Sequence, residues 1–228
     1  MNIAIIPARG GSKRLHKKNI KVINGKPLIE WTIMAAIKSG IFDEIHVNTD
    51  CSEIARISID VGAEVPFMRS SELASDFATT RDVILEHFRF LKENFQQSLQ
   101  TICVLQPTSP NRNYKDIISS YEILKKKNAN SVVSVSQLDH PLEVCNYLNS
   151  DGSMNGFFDQ SISKRSQDYK KMFKINGAIY ILDSSLNGDL NKLYNSHTFP
   201  YIMNNKSSID IDTEDDFLLA EYIMKLRS

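Results

Sequence analysis

The sequence predicts an α/β fold in which a mainly parallel sheet carries helices on both faces. Short apolar runs that favour strands alternate along the chain with longer stretches whose apolar residues recur at helical spacing. The length of 228 residues suits a single domain, and a hydrophobic content of 42% is enough for a sizeable core. We therefore expect one domain over residues 1–228.

In the first half of the chain, the helices are marked by their end residues. Pro27 suits the first turn of a helix that stops at Gly40. Ser52 is a candidate cap for a second helix, and Thr79 or Thr80 begins a long third one. Strands are expected at residues 3–6, 44–50, 64–67 and 101–105. The third of these should be an edge strand because it contains a proline.

In the second half, the pattern predicts a helix over residues 114–127 and a strand over residues 131–135. Residues 138–174 are polar and weakly periodic, so we interpret them as an excursion from the sheet, such as a hairpin arm. Regular order returns with a strand at residues 175–182. The last elements are a strand at residues 208–212 and a helix over residues 213–226.

The composition excludes several functional classes. Lysine plus arginine and aspartate plus glutamate each number 27, and this balance argues against a general nucleic-acid binder. Cys51, Cys103 and Cys145 are far apart in the sequence, which disfavours structural zinc and redox pairs and fits a reducing cytoplasm. No apolar stretch approaches the length of a membrane span, so we expect a cytoplasmic protein that does not bind membranes.

The segment after the first strand has the composition of a polyphosphate-binding loop. Residues 9–19 contain five cations and no acid, and Gly10 and Gly11 allow the backbone to bend where a side chain would clash. Free backbone N–H groups and cationic side chains can then converge on one anion. A solvated basic turn is the alternative interpretation.

Asp210 and Asp212 form a second candidate site. Alternate residues of a strand point to the same face, so these two carboxylates should lie side by side, with Ile209 and Ile211 facing the other way. Two oxygen ligands near a polyphosphate loop suit Mg²⁺. The alternative is a helix-capping role, which explains the acids that follow Thr213 better than it explains these two.

Polar residues also stand at the ends of other predicted strands, at 48–50 and 106–109. In an open α/β sheet, ligands bind outside the carboxyl ends of the strands. If the strands are parallel, these residues, the cationic loop and the aspartates meet at one edge. From the residues alone, a turn-stabilising role for Gln106 is equally plausible.

The opening Pro-Ala-Arg-Gly-Gly-Ser-Lys of residues 7–13, with Lys18 and Asn19, resembles the CTP-binding signature of the acylneuraminate cytidylyltransferases (CMP-sialic acid synthetases), which include CMP-legionaminic acid synthetases. The similarity extends over nearly the whole chain. It is carried further by the ordered motifs at residues 24–29, 48–50, 62–67, 105–110, 165–168, 176–180 and 208–213.

This resemblance implies a Rossmann-like nucleotidyltransferase fold, a three-layer sandwich. It also implies a homodimer in which residues 138–174 form a small dimerisation arm near the sugar site. The implied reaction converts CTP and a nonulosonic acid into a CMP-sugar and pyrophosphate, with a divalent cation such as Mg²⁺ as cofactor.

The resemblance also implies a role for individual residues. Those expected to bind the nucleotide are Arg9, Gly11, Ser12, Lys13, Lys18, Asn19, Arg69 and Thr80. Those expected at the sugar acid are Gln106, Arg165, Gln167 and Tyr180. Asp210 and Asp212 would carry the metal, and these two with Arg9 and Lys13 form the catalytic set.

The sugar and some rival functions stay open at this point. The motif at residues 176–180 favours neuraminic or legionaminic acid over pseudaminic acid as the substrate. A cytidylyltransferase for 3-deoxy-manno-octulosonate would lack the pair Lys18-Asn19, and a glycosyltransferase would be expected to carry its Asp-x-Asp motif in mid-chain. A nucleotide-binding regulatory domain without turnover is the non-enzymatic alternative.

Overall fold

The computed structural model describes residues 1–95, 99–140, 142–157 and 169–226. Six strands form one sheet in the order β4-β1-β5-β7-β6-β8, and β2 and β3 form a separate hairpin. The strands are β1 (Asn2–Pro7), β2 (Val22–Ile23), β3 (Lys26–Pro27), β4 (Glu44–Asn48), β5 (Thr101–Val104), β6 (Ser131–Gln137), β7 (Phe173–Asp183) and β8 (Thr198–Met203).

The sheet is mixed, with one reversed strand. β1 runs parallel to both β4 and β5, as expected, and β6 runs parallel to β8, a strand that the sequence analysis did not predict. β7 is antiparallel to both of its neighbours, β5 and β6. The pairing of β6 with β7 continues to Gln137 and Phe173, so the chain leaves the sheet after β6 and returns directly beside it. Residues 138–172 are therefore the connection of a hairpin.

Helices cover both faces of this sheet, as the sequence predicts. The helices are α1 (Leu28–Ser39), α2 (Ser52–Val61), α3 (Thr80–Phe95), α4 (Tyr114–Lys126) and α5 (Glu214–Lys225). Side chains of α1, α2 and α4 share one core with the sheet, including Ile33, Ile54 and Ile117. Ile84 and Phe88 of α3 enter the core on the opposite face. Among the described residues, no helix is long and apolar enough to cross a membrane.

The helix boundaries agree with most of the sequence signals, but Pro27 occupies the cap position before α1 and not its first turn. Gly40 ends α1 in the left-handed conformation, with φ of 63°. Thr79 caps α3, since its hydroxyl accepts from the Asp82 backbone while Asp82 accepts from the Thr79 backbone. The prediction for Ser52 was wrong: Cys51 is the cap position of α2, without a side-chain hydrogen bond, and Ser52 is the first helical residue.

Two predicted strands are absent from the described sheets, and three strands were missed: β8 and the two-residue strands β2 and β3. Residues 64–67 run beside β4 but make only isolated bridges, at Glu64 and Met68. Pro66 lies between these two bridges and has no N–H to donate. The sequence analysis missed β8, which contains Pro200. The proline is tolerated because β8 lies at the edge of the sheet. Residues 208–212 belong to no strand, and their backbone contacts are described below.

Candidate active site

A cleft of about 620 Å³ opens where β1 and β5 end at the same edge of the sheet. This is the edge at which ligands bind in open α/β sheets. Ten of the residues that the sequence analysis proposed for the site line the cleft: Arg9, Ser12, Lys13, Lys18, Asn19, Arg69, Thr80, Gln106, Asp210 and Asp212.

Two other proposed residues line neighbouring cavities. Gly11 lines a neighbouring pocket of about 350 Å³ between the cationic loop and the start of α2. Tyr180 lines a second cavity of about 680 Å³, which adjoins the cleft. Arg165 and Gln167 fall outside the described residues.

The cationic loop is held in shape by polar contacts at both of its ends. The Gly10 N–H donates to the Asp50 carboxylate at 2.9 Å, and the Asn19 amide donates to the Arg9 carbonyl at 2.9 Å. A Cβ on Gly10 would lie only 2.9 Å from the Cβ of Cys51, whereas a Cβ on Gly11 would meet open space. The close approach of the loop to the β4–α2 connection therefore requires glycine at position 10.

An acidic residue that the sequence analysis did not single out lies against these cations. The Asp76 carboxylate accepts from Arg9 at 3.1 Å and contacts the Lys13 ammonium at 2.5 Å. The hydrogen bond from Lys13 lowers the pKa of Asp76 below its ordinary value, and Arg9 adds to the effect. The geometry shows that Arg9 and Lys13 can converge on a single anionic group.

Asp210 and Asp212 also line the cleft. The strand predicted for them was wrong, because the Asp212 and Thr213 N–H groups bond to Asp216 in the capping box of α5. The expected alternation nevertheless holds: Ile211 is fully buried, and both carboxylates line the cleft. The Ile211 N–H donates to the carbonyl of Thr108 at 2.8 Å, which fixes this segment beside the end of β5.

The two carboxylates differ in their surroundings. Asp212 is paired with Arg14 at 2.8 Å and with Lys18 at 3.2 Å. The Asp210 carboxyl lies against the cleft wall, where partial loss of water raises its pKa above the ordinary value. A hydrogen bond with Thr108 opposes this rise, and the negative charge of Asp212 adds to it. Two carboxylates that repel each other are a suitable donor set for a hard divalent cation.

Arg69 is buried and tied to the end of β4. Its Nε donates to the Asn48 side-chain oxygen at 2.6 Å, and its Nη2 donates to the Asn48 carbonyl at 2.7 Å. Burial lowers the pKa of Arg69 below its ordinary value, while the charges of Asp50 and Glu86 oppose that change. The guanidinium is therefore held in one orientation at the wall of the cleft.

The second cavity meets the cleft at Gln106 and Asp210, which line both. Its wall includes the irregular part of β7, where the register with β6 shifts and Gly177 has φ of +76°. A Cβ on Gly177 would lie 3.1 Å from the Gln106 side-chain oxygen. Burial raises the pKa of Tyr180 to about 12, so its hydroxyl stays protonated at neutral pH. The cationic side chain of Lys206 also lines this cavity.

A buried arginine that sequence reasoning missed supports this junction. Arg112 donates to the Gln106 carbonyl at 3.3 Å, to the Ala178 carbonyl at 3.1 Å and to the Thr32 hydroxyl at 2.7 Å. Burial lowers its pKa to about 10, so the guanidinium remains charged at neutral pH. The residue joins the end of β5 to the irregular part of β7. Arg112 lies in the connection between β5 and α4, where a single arginine gives no signal of this role in the sequence.

Comparison with known proteins identifies relatives over the full length of the chain. A family model described as cytidylyltransferase matches residues 3–225. A CMP-N,N'-diacetyllegionaminic acid synthase of Legionella pneumophila is 39% identical over 231 residues, covering 98% of this chain and 96% of the relative. A pseudaminic acid cytidylyltransferase of Campylobacter jejuni is 32% identical, covering 99% of this chain and 97% of the relative.

An N-acylneuraminate cytidylyltransferase of Escherichia coli is 35% identical, and the match covers 99% of this chain but 52% of that longer relative. Among solved structures, CMP:2-keto-3-deoxy-manno-octonic acid synthetase complexed with CTP superposes with a TM-score of 0.70 at 17% identity. That match covers 100% of this chain and 99% of the other, and it supports the assignment of the fold.

Proposed function

This chain belongs to the cytidylyltransferase family, and from that premise we propose that it transfers CMP from CTP to a nonulosonic acid and releases pyrophosphate. The observation that carries the proposal is the meeting of two cavities at Gln106 and Asp210. One cavity has the cationic loop for a triphosphate, and the other can hold a second substrate beside it.

We assign the nucleotide to the cleft. Arg9, Ser12, Lys13 and Lys18 would bind the triphosphate, because all four line the cleft and three are cationic. The cytidine would lie near Asn19, Arg69 and Thr80, which also line the cleft. Gly11 would contribute through the loop backbone and not through the cleft wall itself.

Asp210 and Asp212 would hold a divalent cation such as Mg²⁺. When bound, such an ion neutralises negative charge that develops on the phosphate oxygens. The carboxylate pair suits this role because its own repulsion is relieved by a cation. In the free protein, Arg14 and Lys18 compensate the charge of Asp212.

The reaction depends mainly on the correct positioning of the two substrates. The anomeric hydroxyl of the sugar attacks the α-phosphorus of CTP, a new P–O bond forms, and the bond to the leaving pyrophosphate breaks. The hydroxyl proton would pass to solvent. Lys13 and Arg9 would stabilise the charge on the departing pyrophosphate, and Gln106 and Tyr180 would orient the sugar.

The sugar acid is an anion, and the second cavity offers it cationic contacts. Lys206 lines that cavity, and Arg165 and Gln167 are further candidates from the sequence alone. We favour legionaminic or neuraminic acid as the substrate, supported by the 39% identity to the Legionella pneumophila relative. Pseudaminic acid is the alternative, on the 32% identity to the Campylobacter jejuni relative.

The test is pyrophosphate release from CTP and Mg²⁺ with N-acetylneuraminic, legionaminic and pseudaminic acids in parallel. 3-Deoxy-manno-octulosonate and an EDTA-treated sample serve as controls. We expect metal-dependent release with one of the first two sugars. Release with 3-deoxy-manno-octulosonate alone would overturn the substrate class, and CTP binding without release for any sugar would favour a regulatory nucleotide-binding protein.

We also propose that the protein is a cytoplasmic homodimer joined through residues 138–174. Within the described part of that segment, large apolar side chains are exposed to solvent: Leu142, Val144, Tyr147, Leu148 and Met154. Several large apolar side chains exposed within one segment favour an interaction site. Cys51 and Cys103 are free thiols, which suits a reducing compartment.

A further inference from the structure

Polar residues are buried between β4 and α3, outside the cleft. Glu44, His46 and Asn48 alternate along β4 and so share one face of the strand. His87 of α3 is fully buried opposite them, and His46 is only 1% exposed. Buried polar groups of this kind are stable only when they are hydrogen-bonded.

These residues form a continuous chain of hydrogen bonds that ends at the cleft. Glu44 Oε2 lies 2.7 Å from His46 Nε2, and His46 Nδ1 lies 2.9 Å from His87 Nε2. His87 Nδ1 lies 3.1 Å from the Asn48 amide nitrogen, and the Asn48 side-chain oxygen accepts from Arg69 Nε at 2.6 Å. The chain therefore runs from a carboxylate near the surface to a guanidinium in the wall of the cleft.

The donor and acceptor in each hydrogen bond follow from the two terminal groups, Arg69 and Glu44. Arg69 can only donate, so the Asn48 oxygen faces it and the Asn48 amide nitrogen must donate to Nδ1 of His87. His87 then carries its proton on Nε2 and donates to Nδ1 of His46. His46 in turn carries its proton on Nε2 and donates to the Glu44 carboxylate, which can only accept.

Aromatic rings pack around His87, and burial keeps its imidazole neutral. The ring of His87 lies 5.2 Å from Phe67 and 6.0 Å from Phe90, measured between centroids. Burial lowers the pKa of His87 to about 3, and the nearby His46 and Arg69 contribute to the same shift. In such an apolar setting, hydrogen bonds are stronger than in water and polarise one another along a chain.

The same residues resemble a metal site at one end, but the bond directions argue against it. Ligand atoms of Glu44, His46 and Glu64 lie within 4.8 Å of one another. A metal on Nε2 of His46 would require the proton on Nδ1, which would then face the N–H of His87. The hydrogen-bond chain and a bound metal are therefore mutually exclusive at His46.

We propose that Glu44, His46 and His87 are positioning residues that orient Arg69 for the nucleotide. Because Nε and Nη2 of Arg69 are both used on Asn48, the chain fixes the plane of the guanidinium and leaves Nη1 for a ligand. This inference rests on the proposed function, since it takes the cleft to be the CTP site.

The first experiment measures the tautomers of the wild-type protein without nucleotide, so its result does not depend on the function. Long-range ¹H–¹⁵N correlation spectra, assigned with His46→Gln and His87→Gln variants, report which ring nitrogen carries the proton. We expect both residues to be neutral with the proton on Nε2. A proton on Nδ1 of either ring would overturn the proposal.

The second experiment measures CTP binding by calorimetry in surface variants that should fold. Glu44→Ala removes the terminal acceptor, and we expect CTP affinity to fall about threefold to tenfold, in line with the loss of one hydrogen bond in a network. The rate constant at saturating CTP should change less than twofold, about the scatter of such a measurement. Glu44→Gln retains an acceptor oxygen and should restore affinity. Glu64→Ala removes the same charge nearby and should have no effect.

A double-mutant cycle tests whether the effect passes through Arg69. In an Arg69→Gln background, followed by ligand-observed NMR if affinity is weak, Glu44→Ala should change CTP affinity no further. An additive loss in the double variant, or an equal loss in Glu64→Ala, would overturn the positioning role. If the wild-type protein binds no CTP, the proposed function fails, whereas the tautomers still decide whether the chain of bonds exists.

Discussion

Asp212 forms ion pairs and is also a proposed metal ligand. In the free protein, its carboxylate is paired with Arg14 and Lys18, and in the proposed complex it would hold a divalent cation. The residue therefore has to exchange its partners when the substrates bind. Removing its charge should affect turnover far more than it affects binding of the nucleotide.

We predict that Asp212→Asn loses at least about 100-fold in turnover, the scale expected when a group that stabilises transition-state charge is removed. CTP binding should be retained in part, because Arg9 and Lys13 are untouched and Arg14 and Lys18 are released. Pyrophosphate release and calorimetry measure the two quantities. Asp215→Asn, an exposed acid in the first turn of α5, is the matched control, and unchanged turnover in Asp212→Asn would exclude the metal assignment.

His87 makes the stability of the fold depend on pH. Its pKa is about 3 in the folded state, below the ordinary value of 6.5, so between these values the unfolded chain binds more protons. The free energy of unfolding should therefore fall as the pH drops below 6.5, by about 1.4 kcal/mol per pH unit from this residue.

Urea unfolding of the wild-type protein and His87→Gln at several pH values from 4 to 7 checks this prediction. The variant should be less stable at pH 7 and should lose this part of the pH slope. His140→Gln, at an exposed position, should keep the slope of the wild-type protein. If the free energy of unfolding had the same pH dependence in all three proteins, the pKa of His87 would not change on folding, and the prediction would be wrong.

At the scale of elements, β7 controls the second cavity through its irregular part. Gly177 has φ of +76° and leaves room for the Gln106 side chain, which a Cβ would approach to 3.1 Å. We predict that Gly177→Ala raises KM for the sugar acid severalfold while CTP affinity stays near that of the wild-type protein. It should also cost about 1 kcal/mol of stability through backbone strain.

Gly152→Ala is a control that separates the effect of Gly177→Ala on KM from its effect on stability. Gly152 also has a positive φ, +74°, but a Cβ there meets no atom within 4 Å. Kinetics with varied sugar acid, together with thermal unfolding, should show strain in both variants and a change of KM only in Gly177→Ala. If CTP affinity falls as much as sugar affinity, the assignment of the second cavity is wrong.

Local signals predicted most of these elements, and long-range pairing explains the exceptions. The end of α1 at Gly40 follows from local backbone preference, so the sequence predicted it correctly. The reversed direction of β7 depends on how the excursion returns beside β6, which no local pattern encodes. The segment at 208–212 has strand-like alternation, but its backbone bonds to Thr108 and to the cap of α5.

The site shows the same division. Sequence motifs placed the cationic loop and Asp210 correctly at one cleft, because these groups lie directly after strands or before a helix. Asp76 and Arg112 were missed, since each acts on residues distant in the chain. The alternation of Glu44, His46 and Asn48 on β4 was a visible signal, but its meaning depends on His87 of α3.

At the scale of the whole molecule, the excursion provides a test of assembly. Tyr147 is 94% exposed and Leu148 is 68% exposed, so burial against a second copy would remove considerable apolar surface from water. We predict that the wild-type protein is a dimer in light scattering and that the double variant Tyr147→Ser, Leu148→Ser is a monomer. Ile59→Ser, at an exposed position on α2, should remain a dimer. A monomeric wild-type protein would contradict the proposed assembly.

The pairing of Asp76 with Arg9 and Lys13 has a consequence for how the cycle ends. The loop already carries its own counterion, so a triphosphate bound as proposed would displace a carboxylate and release few mobile ions. The affinity for CTP should therefore depend on salt concentration less steeply than five free cations would suggest. After the reaction, the Asp76 carboxylate would compete with pyrophosphate for Arg9 and Lys13. This competition would favour release of the product.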